Sequence, residues 1–302
     1  MNPTFLEALQ KILEKEQYKV NEPMSSHITF RVGGNADCYV NPSVAQLPQV
    51  IALCRQFEIP WMIIGNGSNL LVSDKGIRGV VIEMGKYAAK VDVTGDKVTA
   101  EAGAMLAAVA KQAARAGLSG MEFASGIPGT IGGAVVMNAG AYGGEMKDII
   151  TAVTVLTKAG EQKKLSLEEL ELSYRHSCIP KNEYIVLQAE LKLFPEEKEK
   201  IEARMEELKI QRVTKQPLEY PSAGSTFKRP EGYFAGKLIQ DAELRGFQVG
   251  GAQVSEKHCG FVINKDHATA SDIDNLIKEV QHRVEDKFGV RLETEVKYIG
   301  EF

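Results

Sequence analysis

"GIPGTIGGAVVMNAGAYGGE", residues 126–145, carries seven of the chain's 28 glycines in twenty positions. A backbone this bare is a flexible linker, a set of tight turns, or a surface on which something lies flush. Linkers are polar and rich in Ser and Gly, whereas this run holds Ile127, Ile131, Val135, Val136 and Met137, which would be wasted in water. The run is therefore expected to be buried, and buried main chain needs partners for its N–H groups. From this run alone, glycine-lined packing of strand on helix and a ligand surface stand about even.

A second run shifts the balance. "GNGSN" (65–69) follows the apolar "IPWMII", read as a strand, at a place where loop amides can meet an anion. Ser68, Asn66 and Asn69 add side-chain donors. Two such loops suit a dinucleotide, with its pyrophosphate on one and its rings along the other. The common nucleotide motifs are absent. G-x-G-x-x-G fails at Leu70, and G-x-x-x-x-G-K-[ST] fails because Lys86 and Lys237 precede Tyr87 and Leu238. H-E-x-x-H and G-x-S-x-G are missing too, which removes zincin and α/β-hydrolase readings.

With 302 residues, 44% of them hydrophobic and 25% charged, the chain is expected to build a sizeable core in two or three domains. A formal net charge of −4 with no long Lys/Arg run gives no nucleic-acid footprint, so anions would be gripped by local groups. Cys38, Cys54, Cys178 and Cys259 have no paired spacing and read as reduced thiols, neither a disulfide framework nor a metal site. The N-terminus lacks the apolar core of a signal peptide, and no apolar stretch approaches the roughly 20 residues of a membrane helix. A soluble, cytoplasmic protein is expected.

The remaining pattern reads as α+β with frequent hairpins. A helix is expected over 43–57 with Ser43 as N-cap, bent or delayed by Pro48, with a hairpin at Thr94-Gly95-Asp96 and an Ala-rich helix over 104–117 stopped by Gly117. A second hairpin turns at Ala159-Gly160, and a strand covers 183–194. Pro195 then opens a charged helix over 195–213, the best boundary in the chain. Beyond it come a helix near 234–243, a strand at "CGFVINK", a helix over 270–289 and a final strand, "VRLETEVKYIG".

Six blocks in order, "ITFRVGGNA" (28–36), "IIGNGSNLLVSD" (63–74), "FASGIPGTIGGAVVMNAGAYGGE" (123–145), "SYRHS" (173–177), "AGSTFKRP" (223–230) and "LETEVKYIG" (292–300), make the chain resemble the UDP-N-acetylenolpyruvoylglucosamine reductases, flavin enzymes of bacterial cell-wall synthesis. The resemblance implies a two-subdomain FAD-binding domain of the vanillyl-alcohol-oxidase-like (PCMH) type over 1–195, divided near residue 90. A C-terminal α+β substrate-binding domain would cover 196–302. FAD would be held non-covalently by Gly65, Asn66, Gly67, Ser68, Asn69, Leu70, Ser125, Gly126, Gly129, Thr130, Gly132, Gly133, Ala139, Gly140 and Val186. NADPH would be the reductant and UDP-N-acetylglucosamine enolpyruvate the substrate, with no nucleic-acid or membrane partner and a monomeric state. Arg175 would be the cation beside the substrate carboxylate, Glu295 its acidic partner and Ser225 the proton donor, assisted by Lys228.

Each of these residues also has a plainer reading. Arg175 is a surface cation by type, and Ser225 after Gly224 a turn residue. Leu292, Thr294, Val296 and Tyr298 form one strand face, which puts Glu295 with Glu293 and Lys297 on the solvent side. Arg212, Lys215, Lys228 and Arg229 are candidates for the diphosphate of the substrate and the phosphates of NADPH. His258 in "EKHCGF" is either a pocket or a core histidine. The chain looks like the shorter form of the family, lacking an inserted tyrosine-bearing loop, which leaves Tyr142 and Tyr220 as candidates to stack on the base. A different flavin oxidase or dehydrogenase of the same superfamily, and a non-catalytic flavin-binding protein, are the competing readings.

Overall fold

The computed structural model describes all 302 residues. Helix α1 (Pro3–Leu9) is capped by Asn2 and precedes β1 (Tyr18–Pro23) and β2 (Asn35–Val40). The helix expected from Ser43 starts later. α2 is Leu47–Gln56, and the Ser43 carbonyl takes the Gln46 and Leu47 amides in the turn before it. Pro48 sets that start, because proline fits a helix only in its first turn, where no N–H is required. β3 (Trp61–Ile64), β4 (Leu70–Val72) and β5 (Ile77–Glu83) follow. One sheet has the order β1-β2-β5-β3, with β3 and β5 parallel and Trp61 opposite Val80.

The first expected hairpin is β6 (Val91–Thr94) and β7 (Lys97–Glu101), turning on Gly95 at φ 61°. α3 (Leu106–Arg115) buries Leu106, Val109, Ala110 and Ala113 on one face, and is followed by β8 (Leu118–Ser119). The glycine run contributes α4 (Ile131–Met137) and a tight ribbon of β9 (Gly140–Ala141) and β10 (Gly144–Glu145). β11 (Ile150–Leu156) and β12 (Gln162–Ser166) make the second hairpin. α5 (Cys178–Lys181) leads to β13 (Ile185–Lys192). The five strands β12-β11-β13-β7-β6 form an antiparallel sheet, and α4 packs on its central strand β13. β13 is fully buried over Ile185–Leu187 and then alternates, with Ala189 and Leu191 buried and Gln188, Glu190 and Lys192 on the more open face.

Pro195 does not open the charged helix. It lies in β14 (Phe194–Pro195), opposite Leu118 of β8, and α6 runs from Lys198 to Lys215. α7 (Ala235–Asp241), β15 (Gln248–Val249), β16 (Ala252–Val254), β17 (Val262–Asn264) and α8 (Ala270–Phe288) follow, with α8 covering the β15-β16-β17 sheet. The long final strand contracts to β18 (Lys297–Ile299), parallel to β4, with Lys297 opposite Leu70.

Two compact units result. The first comprises Met1–Lys19, Tyr39–Asn66 and Val80–Arg212, and the second Val20–Cys38, Gly67–Gly79 and Val213–Phe302. The first unit's last segment ends at Arg212, inside α6, and two N-terminal segments fold with the C-terminal residues. A composition shift marks where a helix begins, not what the segments pair with. β4, for example, finds its partner in β18, over two hundred positions along the chain.

All four cysteines are buried thiols, no group of three or more His, Cys, Asp or Glu could hold a metal ion, and no helix is long and apolar enough to cross a membrane. In the second unit α8 has a double cap. Thr269 and Asp272 form a capping box, and the Asp74 carboxylate accepts from the Ala270 amide (2.8 Å), the Ser271 amide (2.9 Å) and the Ser271 hydroxyl (2.8 Å). Bonds to a charged acceptor contribute roughly 1.5–3 kcal/mol. Asp74→Ala is expected to lower the unfolding free energy by about that amount, read as a lower urea midpoint by circular dichroism.

Candidate functional site

The 126–145 run is only partly buried, which corrects the expectation of a buried segment. Ile131 and Val135, one helical turn apart on α4, face the core. Ile127, Val136 and Met137 are half-exposed, and Gly126, Gly133 and Gly143 are open. The run satisfies most of its own main chain. Leu106 donates to the Gly129 carbonyl (3.0 Å), Ile131 to Ala104 (2.8 Å), Gly132 to Ala102 (2.8 Å) and Ala139 to Ala134 (2.9 Å). Gly133 donates to the Thr130 hydroxyl (3.4 Å), and Gly140 pairs with Glu145. A Cβ on Gly132 would sit 3.0 Å from that of Ala102, so this glycine serves packing. Ser125 donates to the Glu122 carbonyl (2.8 Å). Val186 is buried in β13 opposite Val155 and offers only main chain.

Asn138 fixes the end of α4. At φ 41° it donates to Glu145 Oε2 (2.7 Å) and the Ser173 carbonyl (3.1 Å) and accepts from the Lys147 amide (2.9 Å). With the Ser177 hydroxyl on the Val136 carbonyl (2.8 Å), this anchors the Ser173–His176 turn to the glycine segment. Ser173 and His176 exchange both N–H···O bonds, and Arg175 in the turn sits at φ 53°, where Gly or Asn is the cheaper residue. Its guanidinium lies 5.1 Å from the centre of the Tyr174 ring.

The 65–69 loop behaves in the opposite way. A Cβ on Gly65 would collide with the Thr130 hydroxyl, and Asn66 Nδ2 donates to the Pro128 carbonyl (2.7 Å), joining this strand end to the glycine run. Yet the amides of Gly65, Asn66, Gly67, Ser68 and Asn69 donate to no protein acceptor. Gly67, at φ 60°, approaches so closely that a Cβ would lie 2.8 Å from Ile28 Cα. Its carbonyl accepts from Thr29 (3.4 Å), whose own hydroxyl is buried without a partner. Asn69 Nδ2 is spent on the Glu295 carbonyl (3.0 Å), and Leu70 opens β4. Free amides, an orphaned hydroxyl and no carboxylate side chain between 65 and 70 fit the anionic, polar part of a dinucleotide. Thr29 escaped residue-by-residue reading, its only signal being the block that contains it.

Arg212 belongs with this first-unit surface rather than with the cations near Ser225. A Cβ on Gly126 would fall 2.6 Å from Arg212 Nε, and the guanidinium stands 5.4 Å from the ring centre of Tyr142, itself at φ 52°. Burial pulls the Arg212 pKa below its ordinary value, and no carboxylate pairs with it. A cavity of about 450 Å³ lies at the far end of β3, lined by Ile51, Arg55, Trp61, Leu156, Lys158 and Glu183 among others. Its charges are engaged with one another, Arg55 on the Lys158 carbonyl (2.7 Å) and Lys158 on Glu183 (2.6 Å).

In the second unit Thr226, fully buried, is the pivot. Its amide donates to the Gly260 carbonyl (2.9 Å), its hydroxyl accepts from Val262 (3.0 Å), and its carbonyl accepts from Glu295 (2.9 Å). Phe227 bridges Thr294. Ser225 stands exposed beside this anchor, so the structure brings the Ser225 and Glu295 main chains onto neighbouring segments joined by the Phe227–Thr294 bridge. Glu293 and Lys297 are exposed as the alternation predicts, but Glu295 is half-buried and does not share their solvated environment. Lys228 is committed to Glu293 (2.9 Å), whose carboxyl it holds below the usual range. Arg229 donates to the Tyr233 carbonyl (3.3 Å) and lies 4.0 Å over the Phe234 ring, while Lys215 is exposed at the end of α6. Tyr220 is occupied by Lys265, 4.2 Å over its ring and 2.5 Å from its hydroxyl.

A glycine-walled segment in the first unit, an amide-rich loop whose residues 65–66 belong to the first unit and 67–69 to the second, and a buried-threonine frame in the second define a flavin-binding α+β protein with a second domain. A family model described as "FAD binding domain" matches residues 36–166. Another, "UDP-N-acetylenolpyruvoylglucosamine reductase, C-terminal domain", matches 216–299. The reductase of Agathobacter rectalis is 56% identical over 100% of both chains, and that of Clostridioides difficile 53% over 97% of each. The crystal structure of the Thermus caldophilus enzyme superposes with a TM-score of 0.80 at 36% identity, covering 94% of this chain and 98% of that one. An alkyldihydroxyacetonephosphate synthase shares the fold alone, at TM-score 0.50 and 18% identity over 65% of this chain and 41% of its own. The chain belongs to the UDP-N-acetylenolpyruvoylglucosamine reductase family.

The two glycine segments predict different sensitivities. Gly67→Ala, with both positive φ and a backbone collision, is expected to lower FAD retention through gel filtration at least about tenfold. Gly143→Ala meets nothing within 4 Å and is expected to cost only the left-handed strain, about 1–2 kcal/mol of stability, with FAD kept.

Proposed function

We propose that this chain reduces UDP-N-acetylglucosamine enolpyruvate to UDP-N-acetylmuramate, with NADPH as reductant and non-covalent FAD as cofactor. It would do so as a cytoplasmic monomer serving peptidoglycan synthesis, and so cell shape and division. The observation that carries this reading is Ser225, exposed beside a wholly buried Thr226 whose carbonyl ties it to Glu295, within a chain of that family over its full length. FAD binding is assigned to residues 1–195 and substrate binding to 196–302. The free amides of Gly65 to Asn69, the Thr29 hydroxyl and the glycines at 126, 129, 133 and 140 would hold the cofactor.

What FAD supplies when bound is two-electron hydride transfer between NADPH and the enolpyruvyl double bond. Reduction at the terminal carbon builds negative charge on the adjacent carbon and its carboxylate. Arg175 opposes that charge, and the half-buried Glu295 shares a proton with it. The Ser225 hydroxyl donates its proton to the substituted carbon, and solvent returns one to the serine oxygen, so each turnover consumes NADPH and one proton. Lys215, Lys228 and Arg229 serve the substrate diphosphate, and Arg212, lying on Gly126, the phosphates of the dinucleotides.

The test is spectroscopic. Under anaerobic conditions the flavin bands should bleach with NADPH and return on addition of the enolpyruvyl substrate alone. Recovery only with oxygen would instead indicate an oxidase. Ser225→Ala is expected to cut turnover by roughly 10²–10⁴-fold, the usual contribution of a positioned proton donor, with FAD still bound. A purely flavin-binding protein would have no turnover to lose.

A further inference from the structure

The imidazole of His258 is wedged between two glycines of the second unit. A Cβ on Gly260 would lie 2.9 Å from its Cε1 and 3.1 Å from its Nδ1, and one on Gly236 would lie 3.5 Å from Cε1. Its ring meets Phe261 edge-on at 5.0 Å. Nδ1 accepts a hydrogen bond from the Gly260 amide (3.1 Å). A backbone N–H can only donate, so Nδ1 carries the lone pair and the proton of the neutral ring sits on Nε2. The Gly260 carbonyl in turn receives the Thr226 amide (2.9 Å), the residue that follows Ser225 and whose carbonyl holds Glu295. Hydrogen bonds joined through the Gly260 and Thr226 backbones therefore link the imidazole to the main chain of both residues assigned to protonation.

We propose that His258 is a positioning residue for proton delivery: through Gly260 and Thr226 it fixes the main chain that carries Ser225 and sets the register of Glu295 beside it. This rests on the role given to Ser225 above. An imidazolium would present an N–H to the Gly260 N–H, so protonation of His258 opens the brace.

The surroundings oppose that protonation. Burial, and then the nearby Arg245, pull the His258 pKa below its usual value. The Arg245 guanidinium, in the turn after α7, bonds the Glu256 carbonyl and Gln240 Oε1. Glu256 lies against Gly246, and Lys257 pairs with Glu219 (3.7 Å). On α7, Lys237 pairs with Asp241 (2.5 Å), and burial pushes the Cys259 thiol up, keeping it neutral. The brace is thus intact at neutral pH and lost only as pH falls through a value below the ordinary 6.5.

The experiment compares His258→Phe, which fills the slot without an acceptor, with His258→Asn, whose Oδ1 can take an amide two residues on, alongside Ser225→Ala. The two half-reactions are followed separately by stopped-flow on the FAD-loaded protein. His258→Phe is expected to slow substrate-driven reoxidation at least about tenfold, the scale of an ångström-sized misplacement, and to leave bleaching by NADPH within about twofold. His258→Asn should restore most of the reoxidation rate and abolish its decline on the acid side. Wild-type reoxidation in His258→Phe, or an unchanged acid limb in His258→Asn, would overturn the proposal. Should the Phe variant fail to fold, the pH profile of the Asn variant decides alone. Full turnover in Ser225→Ala would remove the underlying reading instead, a separate result.

Discussion

Main chain shielded from water must give its N–H groups acceptors, and the two glycine segments meet that constraint in opposite ways. The 126–145 run meets it internally. Its amides go to Ala102, Ala104, Ala134 and Thr130, and Asn138 closes the end of α4, so most of its donors are already spent. The 65–69 loop leaves five consecutive amides unmatched, beside a buried Thr29 hydroxyl in the same condition. A run that spends its amides and a loop that keeps them are different solutions to one accounting problem. The chain separates them by sixty residues while Asn66 and Gly65 hold them together at Pro128 and Thr130.

Local chemistry was the legible part of the fold. Gly95 and Gly160 turn the two hairpins where the sequence places them, and Gly117 follows α3 at φ 71°. Proline cut both ways, since Pro48 delays α2 as its place in the sequence allows, whereas Pro195 pairs in a strand instead of opening α6. The pairing of β4 with β18 had no local signal at all, and with it went the division of the chain into units. Non-local pairings are chosen by the whole packing, which no window of sequence contains.

The site was legible to a different degree. Strand alternation put Glu295 in water beside Glu293 and Lys297, and it missed the Thr226 carbonyl that draws the Glu295 main chain against the segment carrying Ser225. Only the block resemblance singled out Arg175, Ser225 and Glu295. It did not single out the residues that position them. Thr226, Asn138 and His258 act by bonding main chain, and a threonine or asparagine that does so looks in sequence like any other. The cations near Ser225 also proved unequal, since Lys228 answers Glu293 while Arg212 sits in the other unit against Gly126.

Trp61, the chain's only tryptophan, opens the strand that ends at Gly65. At about 3.3 Å per residue the indole's Cα lies roughly 13 Å along β3 from the first of the free amides. Indole emission overlaps flavin absorption, and this separation is short for energy transfer between them. The fold thereby carries a single indole, with no second tryptophan to obscure it, whose emission is placed to dim when a flavin lies at the neighbouring loop.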